Sequence, residues 1–203
     1  MSEPTILPRG CEISVSPGFI LLAALIYFMD ETGLVSAFVP AIAAHELGHI
    51  AALYFQGARI TELRLLVSGL ELRYSGGSGS RAGLFAAAAS GPAAGLIFAL
   101  IASYAGQRFE SDFLLCSAGL SYILTLVNLI PALPLDGGRM LLALFNNPKL
   151  TALCTAAAAT LLTAVGALAL TRGFSIAPLL FGLSVAVLGR KTLESERILV
   201  YNQ

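Results

Sequence analysis

Long apolar runs separated by short polar segments organise this chain. The first run, Gly18 to Met29, stops at Asp30-Glu31, and the second extends from about Leu34 to Phe55. Four more cover Ala82 to Ala105, Phe113 to Leu135, Leu150 to Thr171 and Phe174 to Gly189. Runs of roughly twenty apolar residues match the hydrocarbon thickness of a bilayer, so the pattern predicts about six transmembrane helices. The first is short: at 1.5 Å per residue it reaches only about 18 Å, and it must borrow length from its flanks. Asp30-Glu31-Thr32 follows it directly, unlike a small-residue cleavage site, which predicts that this span is retained.

Between the second and third runs the period changes from helical to two. Leu63, Leu65 and Val67 alternate with Glu62 and Arg64; after Ser68-Gly69, Leu70, Leu72 and Tyr74 alternate with Glu71 and Arg73. This predicts a β-hairpin with its turn at Ser68-Gly69. Cys11, Ile13 and Val15 alternate likewise and could supply a further strand. Such a sheet either caps the bilayer or offers an edge to which an extended peptide can add. Ser75-Gly76-Gly77-Ser78-Gly79-Ser80 then reads as a flexible linker into the third run.

Composition strengthens the membrane reading. Charged residues make up 12% of the chain and hydrophobic ones 57%, whereas soluble domains carry about 25% charged residues. The formal net charge is zero, which gives no footing for nucleic-acid binding. Cys11, Cys116 and Cys154 are odd in number and widely spaced, so they read as free thiols. With the N-terminus cytoplasmic, every Lys and Arg except Arg108 and Arg172 falls on the inner side of a six-span topology. The expectation is a polytopic α-helical membrane protein with both termini cytoplasmic and a small β-sheet at the cytoplasmic rim. Residues 1–189 are expected to form one domain, with its core at about 34–144, and residues 190–203 a short cytoplasmic tail.

The candidate chemistry lies within the second run. His45 and His49, the only histidines, stand four apart in His45-Glu46-Leu47-Gly48-His49. Positions i and i+4 share a helix face, which suits two imidazoles closing on one zinc. Glu46 beside them is placed to act as general base toward water. Ionisable groups inside a span are costly and point to function by default. A catalytic zinc needs a third protein ligand and keeps one position open. Asp136, at the cytoplasmic end of the fourth run, is the strongest candidate at matching depth. Pro131 and Pro134 break the helix before it, and Gly137-Gly138 permit a tight turn that swings the carboxylate inward. Taken alone, Asp136 reads more readily as part of a helix-terminating Asp-Gly turn beside a cytoplasmic Arg; paired with the histidines, the ligand reading prevails.

These residues resemble the site-2 protease family of intramembrane zinc metalloproteases. The resemblance rests on His45-Glu46-Leu47-Gly48-His49 and, in a later span, Asn128, Pro131 and Pro134-Leu135-Asp136-Gly137-Gly138, and it extends from roughly Val15 to Leu144. It implies that His45, His49 and Asp136 bind one zinc ion and that Glu46 is the general base. It also implies that Asn128 holds substrate backbone or an oxyanion; an interhelical hydrogen bond is the alternative for that side chain. The implied activity is hydrolysis of membrane-tethered proteins or peptides near the cytoplasmic face, in a bacterial cell membrane. Without room for a PDZ insertion or a regulatory domain, the chain is similar to the compact sporulation-stage proteases of endospore formers. Ser90-Gly91-Pro92-Ala93-Ala94-Gly95 reads as a packing face. Two rival readings remain. A prenyl-protein-processing zincin would need a later Glu ligand, and Glu110, Glu194 and Glu196 are badly placed. A metal-binding chaperone or transporter would have no use for Glu46.

Overall fold

In a computed structural model the described residues are 12–66, 69–77 and 79–201. Strand β1 (Glu12–Val15) leads into α1 (Pro17–Met29), whose N-terminus is capped by Ser16 accepting from the Phe19 amide. Helix α2 (Leu34–Phe55) carries the histidines, and Gly57, at φ +76°, ends it by taking a left-handed conformation that only glycine adopts freely. Strands β2 (Ala58–Leu66) and β3 (Gly69–Gly76) follow, then α3 (Arg81–Arg108) and α4 (Asp112–Asn128), with Ser80 and Ser111 as their caps. A loop leads to α5 (Asp136–Phe145), and α6 (Pro148–Thr171) and α7 (Ala177–Tyr201) complete the chain.

Helices α2, α3 and α6 are long and apolar enough to cross a membrane. Of the six expected spans, three are thus of membrane length among the described residues, with shorter apolar helices in α1 (13 residues) and α4 (17 residues). The fourth run was expected to continue to Leu135, but α4 ends at Asn128 because Pro131 and Pro134 cannot donate the amide hydrogen bonds that a helix requires. The last run was expected to end at Gly189, yet α7 continues to Tyr201.

The sheet has the order β1-β2-β3, with β1 parallel and β3 antiparallel to the central β2. Leu63 stands level with Ile13 on one side and Leu72 on the other, so one apolar face runs across all three strands. Both halves of the period-two pattern are thus realised, and the predicted β1 joins them. Of the expected turn, Ser68, with Val67 before it, lies outside the described residues; Gly69 already belongs to β3, paired with Leu66. Cys11 and Ser78 also lie outside the described residues.

The helix bundle is inverted relative to a water-soluble protein. Buried positions on α3 are Gly83, Ala88, Gly91, Pro92, Gly95, Ala99, Ala102 and Gly106, and on α4 Ser117, Ala118, Ser121 and Thr125. Leu96, Ile97, Leu100, Ile101, Ile123 and Leu126 face outward. In water the large apolar side chains would be drawn inside. In lipid no hydrophobic force separates them from the surroundings, and small or hydroxyl side chains let helices approach closely. This is the pattern of an integral membrane protein.

Candidate metal centre

His45 and His49 lie on one face of α2, and Asp136 reaches them from the first turn of α5. His45 Nε2 lies 3.2 Å from His49 Nε2 and 3.1 Å from Asp136 Oδ2, and the third side of the triangle, His49 Nε2 to Asp136 Oδ2, is 3.3 Å. A tetrahedral zinc with donors at about 2.0–2.1 Å holds those donors about 3.3–3.4 Å apart. The three atoms therefore form the base that such an ion requires.

Proton placement supports the same reading. His49 Nδ1 lies 2.8 Å from the Ala87 carbonyl oxygen and donates to it, so His49 Nε2 presents its lone pair to the cluster. Asp136 Oδ2 is buried and, among the described residues, lacks a hydrogen bond of good geometry despite its two nitrogen neighbours. One proton could bridge at most two of the three atoms, whereas a cation satisfies all three. Among the described residues, His45, His49 and Asp136 form a group able to hold a metal ion. The donor set of two imidazoles and a carboxylate suits zinc.

Glycines decide how the ligands fit. A side chain at Gly91 would overlap the His49 ring, and the space beside Gly95 is bounded by Thr125 Oγ1, Ser121 Oγ and His45 Nδ1. Gly91 and Gly95 on α3 thus stand opposite His49 and His45 on α2, with the same spacing of four. A Cβ at Gly48 would overlap the Ser90 carbonyl, so the two helix backbones meet there. The Ser90–Gly95 segment was expected only to pack helices; part of what it packs is the imidazoles. Its matching period was the available signal.

Gly137 and Gly138 also act differently from the expected tight turn. Both are helical, in the first turn of α5. Side chains there would overlap the Leu129 and Ile130 carbonyls and the Ala132–Leu133 peptide. They are needed for close approach, so that α5 nests against the loop and Asp136 is carried inward. That loop, which contains a cis Leu133–Pro134 bond, is held from outside: Leu133 N donates to Thr155 Oγ1 at 3.1 Å, and Gly189 sits against the Leu133 carbonyl. Sequence reasoning missed Thr155, which carries no motif.

Glu46 is half-buried beside the cluster, in the electrostatic field of His45, His49, Asp136 and Arg139. Asn128 is the last residue of α4, and its Nδ2 donates to the Leu124 carbonyl at 3.0 Å, a bond within its own helix. Among the described residues it belongs neither to the metal triangle nor to an interhelical bond.

A family model described as Peptidase family M50 matches residues 106–171. That stretch contains Asn128 and Asp136, whereas His45, Glu46 and His49 lie outside it. Among solved structures, a site-2 protease from Methanocaldococcus jannaschii shares the fold with a TM-score of 0.65 and 23% identity, over 90% of each chain. Comparison with curated protein sequences finds no match.

Proposed function

We infer that the chain is a zinc metalloendopeptidase of peptidase family M50, of the site-2 protease type, which hydrolyses peptide bonds of membrane-associated proteins. The observation that carries this reading is the convergence of His45 Nε2, His49 Nε2 and Asp136 Oδ2 beside Glu46. The matched family segment supplies one ligand and the histidine helix the other two.

We further propose six spans with both termini cytoplasmic, in a bacterial cell membrane, and cleavage near the cytoplasmic face. The distribution of basic residues supports that orientation, and α1, α4 and the apolar first half of α7 would supply the spans beyond the three long helices.

His45, His49 and Asp136 would hold the zinc, which supplies Lewis acidity toward the scissile carbonyl and acidifies water near it. Glu46 takes a proton from the attacking water oxygen as that oxygen bonds to the carbonyl carbon. It then delivers the proton to the amine nitrogen as the C–N bond breaks. His49 keeps its Nδ1 proton on Ala87 throughout, which fixes the ring. We assign Asn128 to the substrate backbone or oxyanion, a role supported by its place at the end of α4 before the Asp136 loop. An extended substrate would add to the outer edge of β1 or β3, since β2 is already paired on both sides.

The test is Glu46→Gln. Cleavage of a membrane-tethered substrate should fall by about 10²–10⁴-fold or more, the usual worth of a general base. Zinc measured on the purified protein should remain, and it should be lost in His45→Ala/His49→Ala. Full turnover by Glu46→Gln would reject Glu46 as the general base, and a parent protein that binds zinc but cleaves nothing would reject the protease reading in favour of a metal chaperone or transporter.

A further inference from the structure

The two histidines are supported unequally. His49 has a backbone acceptor for its Nδ1 proton, the Ala87 carbonyl. His45 Nδ1, in a residue only 4% exposed, is buried and has no hydrogen-bond partner among the described residues. A metal-bound imidazole almost always donates its far N–H, because that bond fixes both the tautomer and the ring orientation. The question is what receives it.

Thr125 on α4 answers in position and in chemistry. Six described helical threonines, Thr151, Thr155, Thr160, Thr163, Thr171 and Thr192, turn the hydroxyl back onto a carbonyl one turn earlier. Thr125, 5% exposed, is the exception among the described helical threonines, and its Oγ1 has no partner among the described residues. Thr125 Oγ1 and His45 Nδ1 lie 2.8 Å and 3.8 Å from the point where a Gly95 side chain would begin. Ser121 Oγ is 3.6 Å from the same point; it donates to the Gly95 carbonyl at 2.8 Å and keeps a lone pair for another donor. Three buried polar atoms therefore converge on the bare face of Gly95, and convergent buried polar groups of this kind are bridged by ordered water.

We propose that Thr125 is the positioning residue for His45, receiving its Nδ1 proton through a water seated over Gly95 with Ser121 as the third partner. The chain of bonds runs from His45 Nδ1–H to water and from water to Thr125 Oγ1. It leaves His45 Nε2 as a lone pair aimed at Asp136 Oδ2 and His49 Nε2. Glycine at 95 is required because a methyl group there would come within 2.8 Å of Thr125 Oγ1 and push the hydroxyl out of position. The proposal rests on the zinc reading of the site.

The experiment uses the full-length protein in detergent, with zinc affinity measured by chelator competition and the ligand field read from the Co²⁺-substituted form. Thr125→Val keeps the side-chain shape and removes the hydroxyl. It should lower zinc affinity about 10–100-fold, as expected for loss of a partner to a ligating histidine, and shift the Co²⁺ bands. Thr125→Ser should restore both. Gly95→Ala should reproduce the Thr125→Val loss, and the double variant should be no worse than either single one. Parental affinity in Thr125→Val overturns the assignment. Should that variant fail to fold, parental affinity in Gly95→Ala overturns it instead. A parent protein that binds no zinc overturns both this proposal and the site itself, so the two failures are distinguishable.

Discussion

Two glycine-lined contacts support the cluster of His45, His49 and Asp136, and they differ in what they press against. On the α3 side, Gly91 lies flush with the His49 ring itself, a rigid imidazole already tied to Ala87. On the α7 side, Gly189 lies against the carbonyl of Leu133, a loop residue before Asp136. The first contact positions a ligand directly, with no slack between glycine and donor atom. The second acts through several backbone bonds, aided by Thr155, so displacement there can be absorbed before it reaches the carboxylate. Close backbone approach therefore serves two purposes in this fold: accommodating side chains at α3, and clamping a ligand-bearing loop at α7.

The largest effect should follow from Gly91→Ala. The new methyl would overlap His49 Nε2, Cε1 and Cδ2, and the ring can yield only by leaving the triangle or breaking its bond to Ala87. Metal sites tolerate ligand displacements of only about 0.2 Å. Zinc affinity should fall by about 100-fold or more, at the upper end for disturbed ligand support, and proteolysis should fall with it. Chelator competition on the purified variant gives the measurement. Near-parental affinity would mean that α3 can retreat as a unit, making the direct contact as compliant as the indirect one.

A smaller loss is expected on the other side. Thr155→Val leaves the fully buried Leu133 amide without its acceptor, a cost of about 1–3 kcal/mol in stability. Zinc affinity should fall by about tenfold or less, because the loop stands between the lesion and the ligand. Thr155→Ser should recover both stability and zinc. A zinc loss as large as that of Gly91→Ala would show that the α6–α7 pair governs Asp136 as tightly as α3 governs His49. Destabilisation with unaltered zinc would reduce the clamp to ordinary packing.

This contrast also explains what the sequence could reveal. His45, Glu46 and His49 were legible because one helix supplies them at a fixed period. Asp136 was found because few carboxylates lie at that depth. The apolar runs and the alternation around Leu63 and Leu72 likewise marked helices and strands, since each is a local periodicity. Thr125, Thr155 and Gly91 were not legible as parts of the site. Their roles depend on which residue of another helix stands opposite, and helix registration leaves no local trace. Pro131 and Pro134 announced the break, but not that Gly137-Gly138 would restart a helix against the loop.

The smallest effect should come from the distal end of α2, three turns before His45. Asp30 accepts from the Leu34 and Val35 amides at 3.0 and 2.8 Å and from the Thr32 hydroxyl at 3.0 Å. Desolvation pushes its pKa up, but the hydrogen bonds from Val35, Thr32 and Leu34 together outweigh it and hold the carboxyl below its ordinary value. Asp30→Ala should speed hydrogen exchange of the Leu34 and Val35 amides while zinc affinity stays unchanged, because capping acts within the first turn. With a depressed folded-state pKa, the cap's contribution is complete above the unfolded carboxyl's pKa and is lost as pH falls through the folded one. The exchange difference between parent and variant should therefore be present at neutral pH and vanish in acid. If Asp30→Ala instead lowered zinc affinity, α2 would transmit strain along its whole length, and the losses at Gly91 and Thr155 could no longer be assigned to the contacts beside the ligands.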